Sequence, residues 1–208
     1  MEDVLDLYAE EYDAQYPTVG FDEKPVVLHQ EARPTQPLVP GRPERRDYEY
    51  VREGTANLFV MVEPLAGWRH VAVTQQRTKR DFAEAVRWLV EERYPDVEYV
   101  RIVLDNLNTH GPAALYEAFP PEQARAIAAR VEFHHTPKHG SWLNMAEIEI
   151  SVFERGCLSR PVGDVATLTR RVAALEAERN AARCTIHWQF TSRQARTKLA
   201  DLYPIKQI

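Results

Sequence analysis

The sequence predicts an α/β fold in which one mixed β-sheet is flanked by helices. Three extended segments follow one another without an intervening helix, which favours an antiparallel ribbon, whereas the later strands alternate with helices, which favours parallel strands. The chain has 208 residues, of which 44% are hydrophobic, so it contains enough apolar material for one core. A single main domain is therefore expected.

The antiparallel ribbon is predicted at the beginning of the chain. Residues 18–28 form an extended segment, and residues 57–62 and 68–74 form two apolar runs joined by a turn that contains proline and glycine. Between the first and second segments, residues 30–53 are rich in Pro, Arg and Glu and show no regular period. We therefore predict an irregular excursion from the core over residues 30–56.

The rest of the chain is predicted to alternate between helices and strands. Residues 78–93 have helical periodicity, with Thr78 as the N-cap and Asp81 three residues later. Residues 99–104 form a continuous apolar strand that runs directly into Asp105. Further helices are predicted at residues 115–119, 121–130, 144–157, from 164 onwards and at 192–202, with a strand at 131–135.

Composition excludes several classes of protein. No apolar run approaches the ~18 residues needed to cross a bilayer, and the acidic first fifteen residues do not resemble a signal peptide. Cys157 and Cys184 are far apart and fit neither a disulfide framework nor a metal motif. We therefore expect a cytoplasmic protein without a membrane partner. The net charge of −5 argues against strong long-range attraction to nucleic acid, although basic residues cluster within residues 33–52 and 77–80.

Three acidic residues on separate elements are candidates for chemistry. Asp22 lies inside an apolar strand, Asp105 lies at the carboxyl end of another, and Glu147 lies in the first turn of a helix. Two of them also have a local explanation, because Asp105 is a typical turn residue and Asn144 with Glu147 fits a capping box. Taken together, their oxygens suit Mg²⁺ or Mn²⁺, and two such ions about 4 Å apart support in-line phosphoryl transfer.

Other polar residues compete for a role in the same region. Glu149 and Glu154 lie on the same helix as Glu147. A zinc site built from the histidines at 134, 135 and 139 is disfavoured, because adjacent histidines on a strand point to opposite faces. His110 and His139 are better candidates for contacts with substrate phosphate near the acids.

Several short motifs, in this order, resemble the DDE transposases. They are FDEKP at residues 21–25, GRPERRDYEY at 41–50, GTANLF at 54–59, LDNLNTH at 104–110, TPKHGSWLNMAE at 136–147 and WQFT at 188–191. The similarity covers roughly residues 17–204 and is nearest to the bacterial insertion-sequence-630 kind of the mariner-like superfamily. The scheme that follows is a leader or helix at residues 1–16, a catalytic domain at 17–204 and a tail at 205–208.

The resemblance implies an RNase H-like fold with a five-stranded sheet and a catalytic, metal-binding triad of Asp22, Asp105 and Glu147. It further implies cleavage of DNA at transposon ends and attack of the freed 3′-hydroxyl on target DNA, with two Mg²⁺ or Mn²⁺ ions as the cofactor. The residues then expected to line the site or the DNA path are Arg42, Arg45, Arg46, Asn106, His110, Lys138, His139, Trp142 and Asn144.

The same resemblance raises questions about partners. Members of the family normally carry helix-turn-helix domains before the first catalytic strand, which this sequence reaches within about twenty residues. The chain is then a product of a split element with a separately encoded helix-turn-helix part, a degraded copy, or an isolated catalytic domain. Beside the DNA itself, a homodimer is an expected partner, because cutting two transposon ends requires paired active sites. Trp142 has two interpretations, namely stacking on an unpaired base and packing in the core.

Two other functions are compatible with the residues. One is a catalytically idle remnant that survives as a DNA-binding or protein-interaction module. The other is a small-molecule phosphoesterase with the same metal pair, which the arginine-rich excursion disfavours because a long basic loop suits an extended polyanion better.

Overall fold

The computed structural model describes residues 1–33, 39–42, 49–107 and 110–203, and these residues form one mixed, five-stranded sheet with helices on both faces. The strand order is β3-β2-β1-β4-β5, in which β1, β2 and β3 are antiparallel and β4 and β5 are parallel additions to β1. The strands are β1 (Thr18–Glu31), β2 (Tyr50–Glu63), β3 (Trp68–Thr74), β4 (Val100–Leu104) and β5 (Val131–His135). The predicted mixed five-stranded sheet flanked by helices is confirmed.

The β1–β2 pair is longer than the rest of the sheet. Its ladder continues to the pair Glu31↔Tyr50, whereas β3 pairs with β2 only from Asn57 onwards and β4 pairs with residues 18–20 of β1. The irregular excursion predicted for residues 30–56 is therefore wrong at both ends, because the hydrogen-bond ladder extends past the point where hydrophobic alternation stops. Between the end of β1 and the start of β2, residues 34–38 and 43–48 lie outside the described residues. Val39 pairs with Arg42 across a short turn.

The helices divide between the two faces of the sheet. The helices are α1 (Glu2–Ala9), α2 (Lys79–Trp88), α3 (Pro112–Ala118), α4 (Pro121–Ala128), α5 (Ala146–Cys157), α6 (Val165–Ala181) and α7 (Ser192–Lys198). One core packs α2, α3 and α4 against the face that carries Phe21 and Phe59. The other core packs α5 and α6 against the face that carries Val26 and Val60. Burial of these two apolar faces is the main stabilisation of the sheet.

Local sequence signals set several helix starts. Thr78 and Asp81 form the predicted capping box at the start of α2, and Asp164 caps α6 by accepting a hydrogen bond from the Thr167 amide. Beyond α2, the predicted helix continues as a π-helical turn over Leu89–Arg93.

The N-terminal segment is part of the folded structure. Helix α1 packs with α7 around Leu143, through the buried side chains of Val4, Leu5 and Ala195. Of the two forms predicted for this segment, the structure shows the helix and not a loose leader. Among the described residues, no helix has the length and apolar character needed to span a membrane.

Candidate active site

Asp22 lies on β1, the central strand of the sheet, and faces α5. Alternation along β1 places Phe21 and Glu23 on the α2 face and Asp22 and Lys24 on the opposite face. The contacts agree, because Phe21 packs against the α2 ring of Phe82 and Lys24 forms a 2.6 Å ion pair with Glu154 of α5. The Asp22 side chain is largely buried.

Asn144 fixes the start of α5 against β1. Its Nδ2 donates to the carbonyl oxygen of Phe21 over 2.8 Å, and its Oδ1 accepts from the amide of Ala146 over 3.1 Å. The amide side chain therefore joins the residue before Asp22 to the residue before Glu147, and it brings the two acids to one region. The capping-box interpretation of Asn144 is wrong, since the N-cap is Met145 without a side-chain cap bond. Because Asn144 is fully buried, its predicted position along the DNA path is also corrected.

Asp105 follows the last residue of β4, next to β1 in the sheet. The parallel pairing Gly20↔Val103 sets β4 beside the part of β1 that leads to Asp22. One carboxylate oxygen accepts from the Leu107 amide at 3.2 Å, so Asp105 also ends the strand as a turn residue.

The three carboxyl groups interact electrostatically. Burial raises the pKa of Asp22 to about 7, and the negative charges of Glu147 and Asp105 add to this effect against the opposing hydrogen bond from the Glu23 amide. Partial burial also acts to raise the pKa of Asp105, but the contact with His110 outweighs it and the pKa lies below its usual value. Three acidic groups therefore lie close together, and the Asp22 carboxyl group is near the midpoint of its titration at neutral pH. Such an environment is typical of a cation-binding site.

The donor chemistry fits Mg²⁺ or Mn²⁺, which prefer carboxylate oxygens. In the conformation seen, no group of three His, Cys, Asp or Glu side chains within the described residues is arranged as a formed metal site.

Comparison with protein families matches residues 17–169 to the family described as DDE superfamily endonuclease. The chain belongs to this family. The match includes β1 and α5, which carry Asp22 and Glu147, and β4, which ends at the residue before Asp105.

Comparison with solved structures finds complexes of the Mos1 transposase. A paired-end complex with the left transposon end is 14% identical, with a TM-score of 0.37 and coverage of 90% of this chain and 63% of the other. A strand transfer complex is also 14% identical, with a TM-score of 0.35 and coverage of 84% and 56%. This chain thus spans less than two-thirds of the length of those proteins. No curated protein matches it.

His110 lies inside the DDE domain and not at its surface. The side chain has 0% exposure and is held between Asp105 and Glu23, whose side chains are 28% and 2% exposed. The predicted contact of His110 with DNA is therefore corrected, because the neighbouring carboxylates and aromatic rings enclose the imidazole. Glu23 was missed from the sequence, although a second acid beside Asp22 in an apolar strand was the available signal.

The other predicted DNA-contacting residues have mixed positions. Asn106, Lys138 and His139 are exposed, and the Asn106 amide donates to the carbonyl oxygen of Thr136. Trp142 is 45% exposed and stacks on Trp188 with ring centroids 6.1 Å apart, so the core interpretation is wrong. Arg42 is exposed in the turn of the excursion, whereas Arg45 and Arg46 lie outside the described residues.

Glu149 has a structural role in the DDE domain. Its carboxylate lies 3.1 Å from Nε of the fully buried Arg69 and accepts two hydrogen bonds from Arg179 of α6, at 2.6 and 3.0 Å. Arg69 further donates to the carbonyl oxygens of Gly67 and Arg179. This cluster attaches α5 to α6 and β3, and it removes Glu149 from competition with Glu147. Arg69 was missed because its partners are distant in sequence.

Proposed function

We propose that this chain is the catalytic domain of a transposase, which cuts DNA at transposon ends and joins the freed 3′-hydroxyl to target DNA. Membership of the DDE endonuclease family supports this reaction class. The observation that carries the proposal is the placement of Asp22, Asp105 and Glu147 around one region of β1, where burial raises the pKa of Asp22 to about 7 and the charges of the other two acids add to this effect. We place the chain in the insertion-sequence branch on its motifs, and in the cytoplasm.

The three acids would hold the divalent cations, most simply as two Mg²⁺ or Mn²⁺ ions. When bound, these ions polarise the attacking oxygen and stabilise the leaving 3′-oxygen in an in-line phosphoryl transfer. The chain itself contributes the placement of the carboxylates, since Asp22 lies on β1, Asp105 directly follows the adjacent β4, and Asn144 fixes α5 beside β1. Partial burial of the acids also limits competition from water.

DNA would approach from the exposed side of the acids. Lys138 and His139 lie in the turn before α5, and Asn106 follows Asp105. Exposed cationic and amide groups are typical contacts for phosphate oxygens, and the exposed face of Trp142 is available for stacking on a base. Arg42, together with Arg45 and Arg46, would add positive charge along the excursion. A homodimer and a separately encoded helix-turn-helix part complete the proposed assembly.

Nicking of supercoiled plasmid tests the proposed chemistry. We expect nicking that requires Mg²⁺ or Mn²⁺ in the wild type, and its loss in Asp105→Asn. Asp96→Asn is the matched control, because Asp96 is an exposed aspartate in a turn before β4. Equal nicking by wild type and Asp105→Asn would contradict the assignment and indicate a contaminant.

A second assay separates strand transfer from cleavage. Pre-cut transposon-end DNA with a free 3′-hydroxyl is incubated with plasmid, the protein and Mn²⁺. Covalent joining in the wild type and Asp96→Asn, but not in Asp105→Asn, is the expected result. Metal-dependent nicking without joining would restrict the function to an endonuclease, and no activity in either assay would favour the idle remnant.

A further inference from the structure

The imidazole of His110 contacts two carboxylates through its two ring nitrogens. Nε2 lies 3.0 Å from Oε1 of Glu23, and Nδ1 lies 2.7 Å from Oδ1 of Asp105. Alignment at Nδ1 falls short of a formed hydrogen bond, so the contact with Asp105 is an ion pair in this conformation. Because each ring nitrogen faces a carboxylate oxygen, a proton on both nitrogens, and hence a positive charge, avoids placing a lone pair against either carboxylate.

Aromatic packing restricts the orientation of this ring. Phe21 meets His110 edge-on with centroids 5.9 Å apart, and Phe82 of α2 lies 4.9 Å away. The backbone is also held, because the His110 amide donates to the Leu107 carbonyl oxygen over 2.9 Å. The ring is therefore a fixed group, in contrast to the partly exposed carboxylate of Asp105.

Glu23 supports the ring from the face of the sheet opposite Asp22. The two acids are consecutive in β1, so their side chains lie on opposite faces. Asp22 interacts with Glu147 on the α5 side, while Glu23 holds His110 on the α2 side. Asp105 lies beyond the end of β4, where it contacts His110 of the α2 side and interacts electrostatically with Asp22 of the α5 side.

We propose that His110, held by Glu23, is a positioning residue that restricts rotation of the Asp105 carboxylate and thereby preorganises the divalent-cation site. This inference rests on the proposed function, in which Asp22, Asp105 and Glu147 bind the cations. Groups that orient metal ligands typically change metal affinity or activity by about 10- to 100-fold when removed. His110 acts through Asp105 and touches neither cation nor DNA in this proposal.

Two substitutions of His110 by neutral amide side chains distinguish its positioning role from the effect of its positive charge. His110→Asn places its amide nitrogen close to the position of Nδ1 and retains a donor for Asp105, whereas His110→Gln places it close to Nε2 and retains a donor for Glu23. Both substitutions remove the same positive charge, which by itself would strengthen cation binding. A difference between them therefore reports orientation of Asp105.

Mn²⁺ binding to the full chain, measured by calorimetry at pH 7.5, is the first readout. We expect His110→Gln to bind Mn²⁺ at least about tenfold more weakly than wild type, and His110→Asn to remain within about threefold. Thermal unfolding without metal checks that both variants are folded. Equal affinities of the two variants, or tighter binding by His110→Gln, would overturn the proposal.

A second readout does not need the metal. In a ¹³C NMR spectrum of side-chain carboxyl groups, the Asp105 signal is assigned by its loss in Asp105→Asn. The signal should shift towards that of an exposed aspartate in His110→Gln and keep its position in His110→Asn. If wild type binds no Mn²⁺ and nicks no DNA, the proposed function fails while this spectrum still decides the positioning role.

Glu23→Gln tests the same proposal if His110→Gln does not fold. This variant keeps the imidazole and its Nδ1 but weakens the support at Nε2. The Asp105 carboxyl signal is expected to shift in the same direction as in His110→Gln, by a smaller amount. An unchanged Asp105 signal in a folded Glu23→Gln variant would contradict the role of Glu23.

Discussion

Asn144 shows how one neutral side chain organises the candidate site. Its amide nitrogen donates to a carbonyl oxygen of β1, its amide oxygen accepts from a backbone amide at the start of α5, and no part of the side chain is exposed. Gly20 leaves the space that this arrangement needs, since a Cβ there would lie 3.1 Å from both the Asn144 oxygen and the Ala146 nitrogen. The close approach of α5 to β1 therefore depends on the buried Asn144 amide and on the absence of a side chain at Gly20.

Asn144→Asp is expected to destabilise the protein by about 2–3 kcal/mol. The substitution keeps the shape but replaces the donor to Phe21 with an oxygen, so two acceptors face each other in a buried place. Chemical denaturation measures the free energy of unfolding. Asn106→Asp is the comparison, because that amide also donates to a backbone carbonyl but is exposed. A similar, small cost for both variants would contradict the role given to Asn144.

Glu63, which lies away from the candidate site, tests how a buried carboxylate affects the free energy of unfolding. Burial raises its pKa, against the opposing effects of Tyr94, Arg93 and Tyr12, and Tyr94 donates to Oε2 over 2.6 Å. With the folded pKa above the unfolded value of about 4.5, the carboxyl group contributes most stability below pH 4.5. That contribution is lost as the pH rises through the folded pKa.

Glu63→Gln should therefore be more stable than wild type at pH 7, by about 1 kcal/mol. The amide keeps an acceptor for Tyr94 and removes the desolvated charge. The difference in unfolding free energy should shrink towards pH 4, where the wild-type group is protonated. Glu92→Gln, at an exposed position, should show no such trend. A pH-independent difference for Glu63→Gln would count against the explanation from burial.

At the scale of the element, α5 is held by ionic contacts of two kinds. Glu149 lies in a fully buried cluster with Arg69 and is also bound by Arg179 of α6. On the same helix, Glu154 pairs with Lys24 where both side chains are 37–42% exposed. Buried charges depend on their partners far more than exposed charges do.

Glu149→Gln is expected to lower the free energy of unfolding by about 3–5 kcal/mol, since it leaves the Arg69 and Arg179 guanidinium groups near an uncharged amide. Glu154→Gln should cost less than about 1 kcal/mol. Both are measured by denaturant unfolding at pH 7. Equal effects of the two substitutions would show that the buried cluster does not fix α5.

Elements with local signals could be predicted from the sequence. Alternation and apolar runs identified the strands that carry Asp22 and Asp105, and the spacing of Thr78 and Asp81 identified the start of α2. The ends of the long β1–β2 pair were missed, because their exposed residues are ordered by the backbone ladder and not by a hydrophobic pattern.

Contacts between distant residues could not be predicted in the same way. Asn144 reaches Phe21 across 123 positions and His110 reaches Glu23 across 87, and neither pair leaves a periodic signal. Local reasoning therefore assigned Asn144 to a helix cap and His110 to DNA. The sequence therefore predicts the carboxylates of the candidate site but not the contacts of the residues that support them.

On the scale of the whole molecule, the two faces of the sheet contribute differently to the site. The α5 face provides the interaction of Asp22 with Glu147, and the α2 face provides the aromatic surroundings of His110. A cation bound by the acids would therefore connect β1, β4 and α5, and it would be linked to the stability of the entire sheet.

Mn²⁺ is accordingly expected to raise the midpoint of thermal unfolding. At 100 times the dissociation constant, binding to the folded state adds about 2.7 kcal/mol, equivalent to roughly 5–10 °C for a chain of this size. Differential scanning calorimetry with and without Mn²⁺ measures the shift. The Asp22→Asn variant should remain folded but lose most of the Mn²⁺-induced shift. An equal shift in that variant would show that the cation binds elsewhere.

The tryptophans form two stacked pairs that give this protein its own optical signals. Trp68 and Trp88 stack with centroids 6.3 Å apart on the α2 side, while Trp142 and Trp188 stack beside the start of α5. Since Trp142 lies five residues before Glu147 and is partly exposed, DNA arriving at the acids should quench its emission. Trp68 and Trp88 then serve as an internal reference, so fluorescence of Trp142→Phe beside that of wild type would follow DNA association without any attached dye.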